Sequence, residues 1–181
     1  TMYAVESNSN RIRKIPTVGS TSIIAGSGTA GSTDGIGTAA QFNNPHNCYL
    51  DESNNMLYIM EPSICSVRKI NLQTLQVTTV IGPTCGTHGI NKCPHSIESI
   101  VFDKTGAIFL AGSHSISRAT PIGNTDDYLV ELIAGNVSPG TTVGLASVSR
   151  FNGLGQMITI QQDKHDIFLV SDKSNGYIKR I

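Results

Sequence analysis

The sequence predicts an all-β fold made of β-propeller blades, each a sheet of four antiparallel strands. Three observations predict it. Short β-branched and aromatic runs recur along the 181 residues with a period of about 50 residues, the length of one propeller blade. Each run is bounded by Gly, Asn, Asp or Ser, the form of an antiparallel strand between turns. No window holds a 3.6-residue apolar period, so almost no helix is expected.

The elements follow in order. The clearest is an aromatic strand: Met2-Tyr3-Ala4-Val5-Glu6, Leu57-Tyr58-Ile59-Met60-Glu61, Ile108-Phe109-Leu110-Ala111-Gly112 and Ile167-Phe168-Leu169-Val170-Ser171. With the aromatics aligned, the repeats are 55, 51 and 59 residues apart. A second strand comes roughly ten residues later in each repeat: Ile12–Ile15, Val67–Ile70, Ile116–Ala119 and Ile178–Ile181. A third follows in three repeats, at Ile23–Gly26, Thr79–Gly82 and Leu132–Gly135. A fourth precedes the aromatic strand at Cys48–Asp51, Ile100–Asp103 and Met157–Ile160. Asp51, Asp103 and Asp163 open the tight turns between these last two strands, where Asp, Asn and Gly tolerate positive φ.

Counting gives units of about 1–33, 34–82, 83–135 and 136–181, with three, four, four and three strands. The first lacks its innermost strand and the last its outermost. These leftovers do not complete one blade, so the chain reads as part of a larger propeller. It opens on Met2-Tyr3-Ala4-Val5, already a strand, so the numbering is expected to begin inside a folded unit. One blade cannot bury its own faces, so neighbours must stack. Open blade edges make association between copies an expected liability.

The stretch Gly35-Ile36-Gly37-Thr38-Ala39-Ala40-Gln41-Phe42-Asn43-Asn44-Pro45, followed by Asp51, Leu57-Tyr58-Ile59 and the Ile12-Arg13-Lys14-Ile15 type of strand, resembles the NHL repeat. That family reads D-G-x-G-x-x-A-x-F-x-x-P, then L-Y-V-A-D, N-x-x-I-R-K-I and a closing A-G. The blade at 34–82 matches most of this. The next departs at His88–Pro94, and the following one recovers part of it at Gly144–Asn152. The resemblance covers nearly the whole chain. It implies an NHL-type propeller and leaves function open, because such propellers host many functions.

Charge narrows the function classes. Formal net charge is zero and only 14% of residues are Asp, Glu, Lys or Arg. Nucleic-acid and membrane-surface binding need a clustered basic excess, so neither is expected. No apolar run approaches the roughly 20 residues of a membrane span. Cys48, Cys65, Cys85 and Cys93 form an even set in a loop-rich chain, which suits an oxidising compartment and an extracellular, cell-surface or secretory-lumen location. The expected bridges are Cys85–Cys93, across one loop, and Cys48–Cys65, where antiparallel pairing brings two strand ends together. Four reduced thiols filling small gaps are the alternative.

His46 and His95 each follow a proline at the same phase of consecutive repeats, at the start of an innermost strand. Two such imidazoles converging on a channel could hold zinc, given a third ligand. The arrangement is similar to the peptidylglycine amidating lyase family, in which one such histidine from each of three blades reaches a metal. The third position here is Gly153-Leu154. The competing reading makes both histidines polar residues at the channel mouth. His88, His114 and His165 fall in loops and are expected to be solvent-exposed. Gly26-Ser27-Gly28-Thr29-Ala30-Gly31 has the spacing of a dinucleotide loop, but turn residues follow where a helix is required. The three turn aspartates are expected to cap, with calcium as the lesser reading.

Two function classes follow. The first is a non-enzymatic interaction module whose loops at 26–45, 82–96 and 135–154 engage a protein or glycan partner, with no cofactor. The alternative is a metal-dependent propeller enzyme, lyase-like or lactonase-like, built on His46 and His95.

Overall fold

The computed structural model describes residues 1–82, 96–123, 128–136, 138–146, 148–161 and 166–181. It divides into two compact units, Thr1–Gly82 and Pro83–Ile181. The fold is all-β. Among the described residues helix is confined to four three-residue 3-10 turns, at Ser7–Ser9, Gly37–Ala39, Pro62–Ile64 and Lys173–Asn175.

The first unit holds two sheets. Strands β1 (Met2–Glu6), β2 (Arg11–Ile15) and β3 (Ser22–Ala25) form the first, in that order. The second contains β4 (Gly35–Ile36), β5 (Asn47–Asp51), β6 (Met56–Glu61), β7 (Ser66–Asn71) and β8 (Gln76–Ile81), ordered β4-β8-β7-β6-β5. Strands β5 to β8 are the four-stranded antiparallel meander of one blade. The extra β4 is a two-residue piece of the incoming loop, pairing Gly35 with Val77 and Ile36 with Gln76. It is too short to carry a pattern, and sequence reasoning misses it.

The turns explain the strand ends. Asp51 accepts hydrogen bonds from Ser53 Oγ (2.6 Å) and the Asn54 amide (3.2 Å), closing the β5–β6 turn with Asn55 at φ 54°. Asp103 does the same for the next repeat, accepting from the Thr105 and Ala107 amides. Both aspartates cap, as expected, while Asp163 lies outside the described residues. The β1–β2 and β6–β7 turns are single 3-10 turns ending at Asn10 and Cys65, both near φ 51°.

Apolar residues at period two bury the facing sides of the two sheets. Ile12, Ile24 and Ala25 of the first meet Leu57, Ile59, Ile70 and Val77 of the second, with Ala40 and Phe42 from the loop between. Burying one such Val or Ile side chain stabilises by ~1.5–3 kcal/mol.

The second unit repeats the plan. Strands β9 (Ser99–Phe102), β10 (Ile108–Ala111), β11 (Ser115–Pro121) and β12 (Tyr128–Gly135) make a four-stranded sheet in the order β12-β11-β10-β9. Strands β13 (Leu154–Gln161), β14 (Asp166–Asp172) and β15 (Tyr177–Arg180) make a three-stranded one. Their shared core contains Val101, Ala111, Ile116 and Ala134 from one sheet and Met157, Phe168 and Val170 from the other. A β-bulge recurs at one repeat position, at Ile12/Arg13, Val67/Arg68 and Ile116/Ser117. Strand counts of three, four, four and three agree with the sequence reading once β4 is set aside.

One alignment needs correcting. The sequence reading placed Phe168 in register with Tyr58 and Phe109. Glu61 pairs Ser66 beside the 3-10 turn of the second sheet, and Asp172 pairs Tyr177 beside that of the fourth. Counting back from Glu61 and Asp172, Tyr58 corresponds to Leu169. Phe168 therefore sits one residue away and on the opposite side of its sheet. There it stacks on Phe109, with centroids 4.3 Å apart.

Candidate functional site

In the first unit the long loop 26–46 and the β1–β2 and β6–β7 turns gather at one end. The loop is pinned along its length. The amides of Gly26, Ser27 and Gly31 donate to the carbonyls of Gly37, Ala40 and Phe42. The Asn44 amide donates to Asn10 Oδ1 (2.8 Å), and Ser63 Oγ donates to the Asn43 carbonyl (3.3 Å). Gly26 lies at φ 96°, and a Cβ there would stand 2.3 Å from the Asn10 carbonyl oxygen, so only glycine fits. The glycines of 26–31 thus allow close backbone packing. Only the three-residue 3-10 turn Gly37–Ala39 follows them, not an α-helix, and the dinucleotide reading has no structural counterpart.

A buried cation locks the loop to its sheet. Arg68 on β7 is fully buried. Its guanidinium donates to the carbonyls of Gln41 (2.8 Å) and Thr33 (3.1 Å) and to Asp34 Oδ1 (2.6 Å), and lies over the Phe42 ring at 5.3 Å. Behind it, Glu61 Oε2 is 3.5 Å away, while Glu61 Oε1 accepts from the Asn43 amide. Burial pushes the Glu61 carboxyl up; the Asn43 amide and Arg68 oppose that shift without reversing it. The fourth sheet repeats the clasp with lysine. Lys179 Nζ donates to the Arg150 carbonyl (2.7 Å), pairs with Asp172 (2.9 Å) and lies 4.8 Å from the Phe151 centroid. The Asn152 amide donates to Asp172. The third sheet has Gly112 and Ser117 at the carboxylate and cation positions, so this pairing is not available there.

The clasps leave a polar, largely uncharged surface at the loop end of the first unit. Asn8, Thr29, Asn44, His46 and Ser63 are exposed there. His46 heads β5, with its backbone amide bonded to the Met60 carbonyl (2.9 Å) and Pro45 buried beside it. The second unit builds the same end from loop 135–154 and the Lys173–Asn175 turn. The Ser174 amide donates to the Asn152 carbonyl, and Asn175 Nδ2 to that of Gly140 (2.8 Å). His114 is half-buried rather than solvent-exposed. Its Nδ1 accepts from the Gly153 amide (3.4 Å) and its carbonyl from the Asn136 amide, which makes it a brace for the loop. A cavity of about 500 Å³ opens beside β15, lined by Leu145, Phe151, Lys179 and Ile181 among others.

The other predicted site residues divide as follows. His95, Cys85 and Cys93, with His88 and His165, lie outside the described residues. Among the described residues no group of three His, Cys, Asp or Glu could hold a metal ion. Cys48 and Cys65 are not in a disulfide, and burial pushes both thiols up from the usual range. The bridge expected between them does not form, for a geometric reason. Cys48 is level with Ile59 on β6, which is level with Arg68 on β7, and Cys65 stands three residues before Arg68. Two strand spacings and three residues separate the cysteines by ~14 Å, well beyond the ~7 Å a disulfide spans. Antiparallel pairing brings Cys48 near the end of β6, but the 3-10 turn carries Cys65 past β6 towards β7. Among the described residues no helix is long and apolar enough to cross a membrane.

No protein-family model matches the chain, and no curated protein matches it. Solved structures resemble it in fold. One is an auxiliary nutrient binding protein from Bacteroides thetaiotaomicron, with 11% identity and TM-score 0.62 over 99% of this chain and 44% of that one. Another is an auxiliary nutrient binding protein from Bacteroides ovatus, with 15% identity and TM-score 0.64 over 98% of this chain and 51% of that one. A third is a protein of unknown function from Bacteroides thetaiotaomicron, with 16% identity and TM-score 0.66 over 98% of this chain and 43% of that one. The chain spans about half the length of these structures.

Proposed function

We propose that this chain is part of an NHL-type propeller that works as a non-enzymatic binding module, engaging a protein or glycan partner through its pinned loop end. The observation that carries this reading is the loop 26–46. It is fixed by backbone hydrogen bonds and the Arg68 clasp, yet offers the exposed amide, hydroxyl and imidazole groups of Asn44, Ser63 and His46 to solvent. A surface ordered before binding loses little entropy when a ligand docks, which favours recognition. Neutral amides and hydroxyls suit the hydroxyls of a glycan or the backbone of a peptide. Two of the structures with this fold are named as nutrient binding proteins, which supports a binding role. We place the module outside the cell, at its surface or in the secretory lumen, on the strength of that role; Cys48 and Cys65, which are not bridged, lend this location no support.

The test is an array of oligosaccharides and short peptides probed with the 181-residue chain and with an Asn44→Ala, His46→Ala variant. Both side chains are exposed, and only the φ of 50° at Asn44 resists alanine, so stability should fall by no more than the ~1–2 kcal/mol of that backbone strain. Binding to a defined ligand class should weaken about tenfold or more, as for loss of two interface hydrogen bonds. Equal binding by the variant would move the site away from this loop.

A further inference from the structure

The chain contains the Asn-Gly pair twice, at Asn152-Gly153 and Asn175-Gly176. In such a pair the glycine nitrogen can attack the asparagine side-chain carbonyl, because no Cβ shields it and the backbone turns easily there. A folded chain permits the attack only where the carboxamide is free to turn and something can take the amide proton.

The two pairs differ on both counts. The Asn175 carboxamide is held, its Nδ2 donating to the Gly140 carbonyl (2.8 Å) and to Asp172 Oδ2 (2.9 Å). The Gly176 N–H donates to the Lys173 carbonyl (3.3 Å), which is no base. Among the described residues the Asn152 carboxamide meets no hydrogen-bond partner, and the residue is half-buried. The Gly153 N–H donates to His114 Nδ1 (3.4 Å). An Nδ1 that accepts is unprotonated and can take a proton. The backbone is fixed on either side of that N–H. The Asn152 amide donates to Asp172 Oδ1 (2.8 Å), and the Gly153 carbonyl accepts from the Lys173 amide (3.0 Å).

We propose that Asn152-Gly153 is a self-modification site at which the chain deamidates with His114 as its base. His114 Nδ1 takes the Gly153 proton as the nitrogen bonds to Asn152 Cγ. The bond from Cγ to the side-chain nitrogen then breaks, and the imidazolium returns the proton to the departing ammonia. Water opens the cyclic imide at either carbonyl, leaving aspartate or isoaspartate at position 152. The product sets a second carboxylate beside Asp172. Isoaspartate also adds a main-chain carbon between the amide that bonds Asp172 and the carbonyl that accepts from Lys173. The fastening of loop 135–154 therefore loosens as the chain ages. This site lies in the second unit and stands whether or not the first unit's loop surface binds a ligand.

The experiment incubates the 181-residue chain at neutral pH, folded and in urea, and follows both asparagines by tryptic mass spectrometry. Arg150, Lys164, Lys173 and Lys179 place them in separate peptides. In the folded chain Asn152 should convert about tenfold or more faster than Asn175, and in urea the two rates should converge, both asparagines being followed by glycine. His114→Gln keeps an acceptor for the Gly153 amide but supplies no base. It should slow Asn152 about tenfold or more, towards the low end of general-base effects because 3.4 Å is a long contact, and leave Asn175 unchanged. Equal rates in the folded chain overturn the proposal, as does a rate ratio that persists in urea. So does an unchanged Asn152 rate in a His114→Gln chain that melts normally; if that variant melts early, the folded and urea rates of the unaltered chain decide.

Discussion

Replacing Arg68 with methionine keeps most of the side chain's bulk and removes its charge. The structure sets the size of the effect. Arg68 and Glu61 are both fully buried, so the substitution leaves the Glu61 carboxylate without its cation. It also strips donors from the carbonyls of Gln41 and Thr33. Breaking a buried pair from one side costs ~3–5 kcal/mol, and for a chain of this length melting falls by ~2–4 °C per kcal/mol. A drop of roughly 6–20 °C is therefore expected from those two scales. The chain has no tryptophan, so circular dichroism is the suitable probe. Two further results belong to the same argument. Glu61→Gln added to Arg68→Met should recover part of the loss, because the stranded charge is gone. The defect should also shrink in acid. The Glu61 carboxyl is raised by burial, so its folded value lies above its unfolded one. Its contribution is then most favourable below the unfolded value and is lost as pH rises through the folded value, more so without Arg68. A loss below ~1 kcal/mol, the worth of an exposed pair, would refute the clasp as a stabilising device. Unchanged cost from pH 7 to pH 4 would do the same.

Two other outcomes follow. Burial pushes the Asp172 carboxyl up, but hydrogen bonds from Lys179, Asn175 and the Asn152 amide outweigh it and hold the group below the ordinary range. Its stabilisation is present above the unfolded value of ~4 and is lost as pH falls through the folded value, so Asp172→Asn should lower melting at pH 7 and flatten its fall below pH 4; parallel curves would count against this. Gly26→Ala meets both a positive φ and a backbone oxygen at 2.3 Å, whereas Gly106→Ala meets only a positive φ of 83° in open space. Urea unfolding should show the first costing ~1–3 kcal/mol more than the second, and equal costs would remove the steric argument.

Much of the fold was legible because antiparallel strands carry their own marks. Runs such as Leu57–Glu61 and Val67–Ile70 sit between turn residues whose backbone needs are local, and Asp51 and Asp103 cap as their positions imply. The misses came from interactions that are not local. Phe168 looked like the partner of Tyr58 because an aromatic is conspicuous. The carboxylate and cation, Glu61 with Arg68 and Asp172 with Lys179, fix the register, and the same sequence contains them. Cys48 and Cys65 flank a strand the sequence does show, but that the 3-10 turn carries Cys65 past it towards the next strand is visible only in the ladder. Of the candidate site, His46 was placed correctly at the head of its strand. The role of His114 depends on a loop that returns 39 residues later to meet it, and no local pattern announces that.

The clasp has one more consequence, for how such a chain can be assembled. Thr33, Asp34, Gln41, Phe42, Glu61 and Arg68 all fall within one stretch that begins after Ala25-Gly26 and closes at Ile81-Gly82. Arg150, Phe151, Asp172 and Lys179 fall likewise within another. Each of these two sheets thus carries its own ionic latch together with the connector that leads into it, beside the hydrogen bonds that connector makes to the preceding sheet at Asn10 or His114. A cassette cut at those glycines can be copied, lost or transplanted with its ionic latch complete. The faces it presents to adjoining cassettes, and the few connector bonds to the preceding turn, are then what is left to match.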